Sequence, residues 1–413
     1  MLIRSGAGHM RAPSAAAMAC AAGLIALVGR RLFDPWTGLG AGLVFAGIPS
    51  TSAYGQEARP YAWVVAAVLL ATLLLLRAIE VPSWRRWTWY GGAVLLVGLF
   101  HVVALTVLGA HAALIWWDSR ADRAVKPHRW LVTAVVPIVI LLPLMAKGST
   151  QTRAIAWIRA DEQKVRELPD RLFESPTVAL LVMSLAVVAV VAVIRVDGRA
   201  LVLLLTWAVL PPVFTYLTFP VLHVFLHRYL IFTVPAWILL AAALPRALAS
   251  DTSRRRVAVV GALVLPAVVG LVGLPGQEKA RRLPLDEPDL AGAARVVQAH
   301  LRDGDGIVFA ETLRDARPAF AHLNATGVVG APKDVLLERP ASEIGWFRPV
   351  ECVDTTRCLA GTDRIWLLAD AEPGPNRVEG ISRRAHQVLR SEFDGELVGS
   401  ARHVKVYLLE RGR

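Results

Sequence analysis

The first two thirds of the chain alternate long apolar blocks with short charged turns. Blocks at 12–29, 36–53, 60–77, 89–103, 104–117, 130–146, 177–195, 200–218, 226–245 and 256–274 carry their apolar residues in runs, not at core spacing. Such runs read as bilayer spans. The pattern predicts a polytopic α-helical membrane protein of about ten spans. Several blocks fall short of the roughly 20 residues that a straight span needs. The stretch 89–117 is the ambiguous one: it reads as one long tilted helix or as two short ones.

After residue 276 the pattern changes to an α/β rhythm. "DLAGAARVVQAHL" (289–301) has helical spacing with Asp289 as N-cap, and "DGDGIVFAE" (303–311) is a turn followed by a short strand. "DRIWLLAD" (363–370) predicts a buried strand, "SRRAHQVLRSEF" (382–393) a helix and "HVKVYLLER" (403–411) a terminal strand. Gly304 and Gly306 lack the strand–GxGxxG–helix order of a phosphate loop and read as a turn. The expected organisation is a multi-span core over 1–276 and a soluble extracytoplasmic α/β domain over 277–413.

Charge settles the ambiguous stretch. If 89–117 is a pair, one side collects Arg30/Arg31, Arg77/Arg85/Arg86, Arg120/Arg123/Lys126/Arg129, Arg195/Arg199 and Arg246/Arg254/Arg255/Arg256. The short loops of the other side keep only Arg59 and Arg228, beside the longer mixed-charge loop 147–176. That partition follows the positive-inside rule. It places "YGQEARPY" (54–61), "LHVFLHRY" (222–229) and the C-terminal domain outside, and it leaves the N-terminus outside as well.

Composition agrees. The 413 residues are 55% hydrophobic and 19% charged, against about a quarter charged in soluble chains. The formal charge of +12 sits in loops between spans, so it speaks for membrane orientation and against a nucleic-acid partner. Arginine far outnumbers lysine, as in GC-rich bacterial genomes, and the expected location is a bacterial cytoplasmic membrane. Cys20 lies in an apolar block. Cys352 and Cys358 read either as a small disulfide loop, if their domain faces an oxidising exterior, or as two thiols.

"RAPSAAAMACAAGLIALVGRRLF", "GLGAGLVFAGIPSTSAYGQEARPYAW" and "HRYLIFTVPAWILLAAAL" occur in that order. Together they resemble the GT-C membrane glycosyltransferases, in particular the bacterial relatives of protein O-mannosyltransferases and aminoarabinose transferases. The resemblance implies transfer of a sugar from a polyprenyl-phosphate carrier at the outer face of the membrane. The acceptor it implies is a protein, a lipid or a glycan. It also implies an acidic catalytic base in the family's first extracytoplasmic loop. This chain is expected to begin after that loop, so a non-catalytic relative that binds lipid-linked sugar or scaffolds an envelope complex is the alternative. A transporter should show internal repeats, and none is visible.

Such chemistry needs a base for a hydroxyl acceptor, cationic stabilisation of the leaving phosphate and an apolar groove for the tail. Arg59 and Arg228 are the expected phosphate partners, because the guanidinium fork binds two oxygens. Glu57 is the candidate catalytic carboxylate: it could hold Arg59, orient the acceptor or take part of the base role. Tyr61, Tyr229 and His101 are expected to line the sugar site. Each has a plainer reading: a Glu57–Arg59 ion pair, interfacial tyrosine anchors, a snorkelling Arg228. His223 and His227 flank Arg228. The histidines leave room for a divalent metal without metal-ligand spacing, and no cofactor is implied. His111 reads as a buried helix residue. The stretch "AIAWIRADEQKVRELPDRLF" (154–173) is amphipathic through Trp157, Ile158, Val165, Leu168 and Phe173, and is expected to lie on the membrane surface, with Asp161 and Glu162 solvated.

Overall fold

The structure, a computed structural model, describes residues 2–121, 126–151, 155–156, 158–193, 197–249, 253–281, 288–310, 313, 316–325, 332–346, 349–369 and 383–412. Trp157, Arg123 and Arg195 lie outside the described residues. The chain divides into two compact units, Gly8–Arg282 and Leu283–Arg413 with Met1–Ala7.

The larger unit is helical: α1 (Leu2–Leu32), α2 (Pro35–Gly47), α3 (Pro49–Gln56), α4 (Tyr61–Glu80), α5 (Trp84–Phe100), α6 (Leu108–Arg120), α7 (Pro127–Ser149), α8 (Glu162–Phe173), α9 (Pro176–Val193), α10 (Gly198–Leu217), α11 (Phe219–Leu222), α12 (Val234–Leu248) and α13 (Arg254–Arg281). Among the described residues, each of the ten apolar blocks falls mainly on one or two helices. By length and composition, however, only seven helices among the described residues can cross a membrane, or up to eight if α8 and α9, bent by 92°, count as one span. Two blocks fall short for visible reasons. Ile48 takes an extended conformation (ψ 145°) ahead of Pro49 and splits the block 36–53 into α2 and α3. The block 89–103 forms most of α5, which has 17 residues and opens on Trp84-Arg85-Arg86.

The stretch 89–117 is two helices. At His101 the backbone is extended (φ −162°, ψ 112°), and a 3-10 turn, Val102–Val107, leads into α6.

Lipid gives helices little hydrophobic reason to associate, so close packing and hydrogen bonds must hold them. Small residues let α1 and α2 touch. A Cβ on Gly38 would run into the Ala26 carbonyl oxygen, and one on Gly29 would lie 2.8 Å from Gly38 Cα. Asp34 caps α2 by accepting from Trp36 N and Thr37 N (2.9 Å each), and it pairs with Arg246 of α12 (3.2 Å). The α13 end is tied to α2 and α3 through glutamines. Gln277 Nε2 donates to the Gly47 carbonyl (2.9 Å), and Gln56 Nε2 donates to the Ala280 carbonyl (3.1 Å).

His111 is fully buried, as expected. Trp130 Nε1 donates to the Tyr90 hydroxyl (3.0 Å), which is 3.0 Å from His111 Nδ1, while His111 Nε2 is 3.1 Å from Thr72 Oγ1. Thr72 in turn donates to the Val68 carbonyl (2.9 Å). The chain closes if the proton sits on Nε2, which leaves no polar atom of the ring orphaned in the core.

In the smaller unit, β1 (Gly306–Phe309), β2 (Lys333–Asp334), β5 (Arg364–Ala369), β6 (Phe393–Ala401) and β7 (Val404–Arg411) form one sheet in the order β2-β1-β5-β7-β6; β3 (Leu337–Arg339) and β4 (Val350–Glu351) pair separately. β1 runs parallel to β2 and β5, and β7 is antiparallel to β5 and β6. Helices Leu290–His300, capped by Asp289 (2.8 Å to Gly292 N), and Arg383–Glu392 form where expected. Gly304 turns with φ 90°, a conformation that suits glycine. Asp305 beside it is buried and accepts from Trp366 Nε1 (2.9 Å) and Arg364 (3.2 Å), so the turn is a structural corner. Cys352 and Cys358 are bridged.

Candidate functional site

Three interruptions of helix build the site. The first is Glu57–Pro60. Proline disfavours the α conformation in the residue before it, so α3 ends at Gln56 and α4 restarts at Tyr61. The second is His101, at the break after α5. The third is the stretch between α11 and α12, where His227–Tyr229 and Ile231–Thr233 are single 3-10 turns. Trp207 Nε1 on α10 pins that stretch by donating to the Phe232 carbonyl (2.9 Å).

These breaks bring together the residues singled out from the sequence. Ring centres of His101 and Tyr229 are 4.6 Å apart, those of Tyr61 and His101 6.1 Å, those of Tyr61 and Tyr229 6.3 Å, and those of Tyr54 and Tyr61 5.8 Å. Arg59 hydrogen-bonds the Tyr61 side chain and also acts on Tyr229. Arg228 is the charge common to the cluster: Tyr54, Tyr61, Glu174, His227 and Tyr229 all lie within its electrostatic reach. Glu57 lies within reach of Tyr54, Tyr61 and Glu174. Glu57, Arg59, Tyr61, His101, Arg228 and Tyr229 thus form a single cluster. His223 is turned to another use. It ends α11 in the left-handed region (φ 53°) with its ring 5.0 Å from that of Phe219.

Two polar atoms in the cluster are buried and have no hydrogen-bond partner among the described residues: the donor Arg228 Nε, and His101 Nδ1, which donates or accepts according to the tautomer. Buried polar atoms are almost always satisfied. An acceptor-rich ligand would supply what Arg228 Nε lacks.

Sequence reasoning missed Glu174, Arg171 and Lys279. Glu174 links α8 to α9 in a left-handed conformation (φ 53°), and a Cβ on Gly276 of α13 would lie 3.2 Å from its carbonyl oxygen. Burial pushes its carboxyl up, opposed by Arg171 and Lys279, with Glu57 adding to the rise and Arg228 opposing it. The signal for it was faint: one acidic residue where an amphipathic stretch meets an apolar block.

The amphipathic stretch forms α8. Leu172 and Phe173 are buried, Ile158 just ahead of it is buried, and Val165 is exposed. Asp161 caps the helix (2.9 Å to Lys164 N), and Glu162 pairs with Arg166 (2.5 Å) on the exposed face. Beneath α8, between it and α9, α10 and α12, lies a cavity of about 160 Å³, lined by Leu168, Leu172, Met183, Val209, Pro212 and Trp237 among others. Its lining residues are all apolar. Among the described residues no group of three or more His, Cys, Asp or Glu is placed to hold a metal ion.

Residues 1–146, about a third of the chain, match the family described as dolichyl-phosphate-mannose-protein mannosyltransferase. The whole chain superposes on the crystal structure of ArnT from Cupriavidus metallidurans in the apo state, with a TM-score of 0.61 at 14% identity over 96% of this chain and 83% of that one. The two proteins share one fold. The structure of ArnT from Cupriavidus metallidurans bound to undecaprenyl phosphate gives a TM-score of 0.59, also at 14% identity, over 97% of this chain and 83% of that one. No curated protein matches the sequence. The stretch "YGQEARPYAW" (54–63) lies within the family match, whereas Glu174, Arg228 and Tyr229 lie beyond it.

Proposed function

We propose that the chain transfers a sugar from a polyprenyl-phosphate-linked donor to an acceptor at the outer face of a bacterial cytoplasmic membrane. The observation that carries this reading is the convergence of two arginines, a carboxylate and a ring-lined wall at breaks in three separate parts of the helical unit, with Arg228 Nε buried and lacking a partner among the described residues. The fold shared with an ArnT that binds undecaprenyl phosphate supports the donor class.

In this reading the acceptor oxygen attacks the anomeric carbon. The bond from that carbon to the phosphate oxygen breaks, and the polyprenyl phosphate leaves with the electron pair. Arg228 and Arg59 stabilise the charge that builds on the phosphate. Glu57 orients the acceptor and takes its proton. Tyr61, His101 and Tyr229 present faces and polar edges to the sugar. The apolar cavity under α8 receives the first prenyl units. The sheet-containing unit faces the exterior, a placement supported by the Cys352–Cys358 bridge and by the charge asymmetry of the loops.

Transfer from an undecaprenyl-phosphate-linked sugar by membranes holding the wild type or Arg228→Gln tests the reading. Loss of one preorganised donor to a developing charge should lower the rate about 100-fold. Arg59→Ala should abolish transfer with the protein still folded in the membrane. Normal transfer by both variants would remove the phosphate assignment.

A further inference from the structure

A second polar site lies on the seam between α5 and α7, among residues that the transfer reading does not use. The two helices run parallel, because Tyr90 meets Trp130 and Gly98 meets Leu141. Between these contacts a Cβ on Gly91 would lie 3.1 Å from the Thr133 carbonyl oxygen, so the backbones nearly touch. One turn earlier stand Trp87 on α5 and Arg129 on α7. Residues four apart share a helix face. Trp87 and Arg129 therefore face the same end of the seam, where both helices begin.

Both carry an orphan donor. Trp87 is 1% exposed, and neither its Nε1 nor the buried Nε of Arg129 has a hydrogen-bond partner among the described residues. The Arg129 guanidinium lies 5.2 Å from the centre of the Trp84 ring. Two parallel helix N-termini add partial positive charge here. Neither helix has an acidic residue in its first turn, and α7 has no side-chain cap. Arg85 and Arg86 add full charges. Orphan donors beside a guanidinium call for an anionic oxygen. Trp84 and Trp89, at 51% and 67% exposed, mark the headgroup level of the bilayer, so the anion at hand is a lipid headgroup.

We propose that the N-terminal end of the α5–α7 seam binds the headgroup phosphate of an anionic phospholipid, with Trp87 Nε1 and Arg129 as its donors and Trp84 as its wall. The site is independent of the sugar-transfer cluster.

The test is thermal unfolding of the full chain in detergent, titrated with phosphatidylglycerol, phosphatidylcholine or inorganic phosphate. Phosphatidylglycerol should raise the wild-type midpoint, and phosphatidylcholine should raise it less. Arg129→Gln should weaken the apparent phosphatidylglycerol affinity about 10-fold, as expected for a hydrogen bond to a charged group. Trp87→Phe keeps an aromatic ring but removes the N–H together with the five-membered ring, so its lipid-free midpoint should fall. It serves even if Arg129→Gln fails to fold, because affinity is read as the lipid-dependent shift from each variant's own lipid-free midpoint, and that affinity should fall as well. Equal protection of wild type and Trp87→Phe, or equal protection by the two lipids, would overturn the proposal. Full protection by inorganic phosphate alone would assign the donors to a soluble anion and overturn the lipid assignment.

Discussion

Arg228 shows how a single side chain can organise a site. It stands on a 3-10 turn, its Nε is buried, and three tyrosines, a histidine and a glutamate lie within its field. Glu57 should separate binding from chemistry. Glu57→Gln is expected to keep undecaprenyl phosphate binding while lowering the transfer rate about 100-fold, the scale of general-base loss; parallel binding and rate measurements check this. Glu174 yields a pH prediction. Its carboxyl is raised by burial, with Glu57 adding to the rise while Arg171, Lys279 and Arg228 oppose it. The folded state therefore holds a proton that the unfolded state has lost. Stability is full below the ordinary carboxylate value and falls as pH rises through the raised one. Glu174→Gln should match the wild-type melting midpoint below about pH 4 and exceed it near neutrality. A constant difference across pH would refute the burial argument. Arg59 and Arg228 were legible in the sequence because arginine is scarce in short outer loops. Glu174 and Lys279 were not, because they meet the cluster only through the packing of α13 against the α8–α9 bend.

At the scale of elements, helix breaks matter more than helices. The blocks 36–53 and 89–117 look continuous in hydropathy, yet Ile48 and His101 break them with extended backbone. Loop charge pointed to the second break, while local composition gave no sign of it. The amphipathic α8 was visible from its spacing, and its burial of Leu172 and Phe173 follows from that spacing. Strand β6 was missed, because Asp394, Gly395, Glu396 and Gly399 dilute any alternation and its residues are largely exposed. Close approach makes α1–α2 packing testable. Gly38→Ala puts a methyl into the Ala26 carbonyl and should cost about 1–3 kcal/mol, the usual scale of overpacking. Gly23→Ala, with nothing within 4 Å of the new Cβ, should be neutral or slightly stabilising. Thermal midpoints of the two variants in one detergent decide it.

For the whole molecule, the class of fold was legible and the number of spans was not. Apolar blocks reveal that a chain crosses the membrane. Whether a block of 13 to 17 helical residues crosses alone depends on bends and neighbours that hydropathy does not encode. Orientation is testable through the bridge between Cys352 and Cys358. In intact cells holding a Cys20→Ala variant, a membrane-impermeant reductant followed by an impermeant maleimide should label the protein. Labelling only after lysis would put the sheet-containing unit inside and reverse the topology.

The most direct measurement is a structure of the protein with undecaprenyl phosphate bound. The phosphate should lie within hydrogen-bond reach of Arg228 and Arg59, beside the ring cluster of Tyr61, His101 and Tyr229, with the first prenyl units against Leu168, Leu172 and Trp237. A phosphate seated away from both arginines, or a tail that avoids the cavity under α8, would contradict this placement.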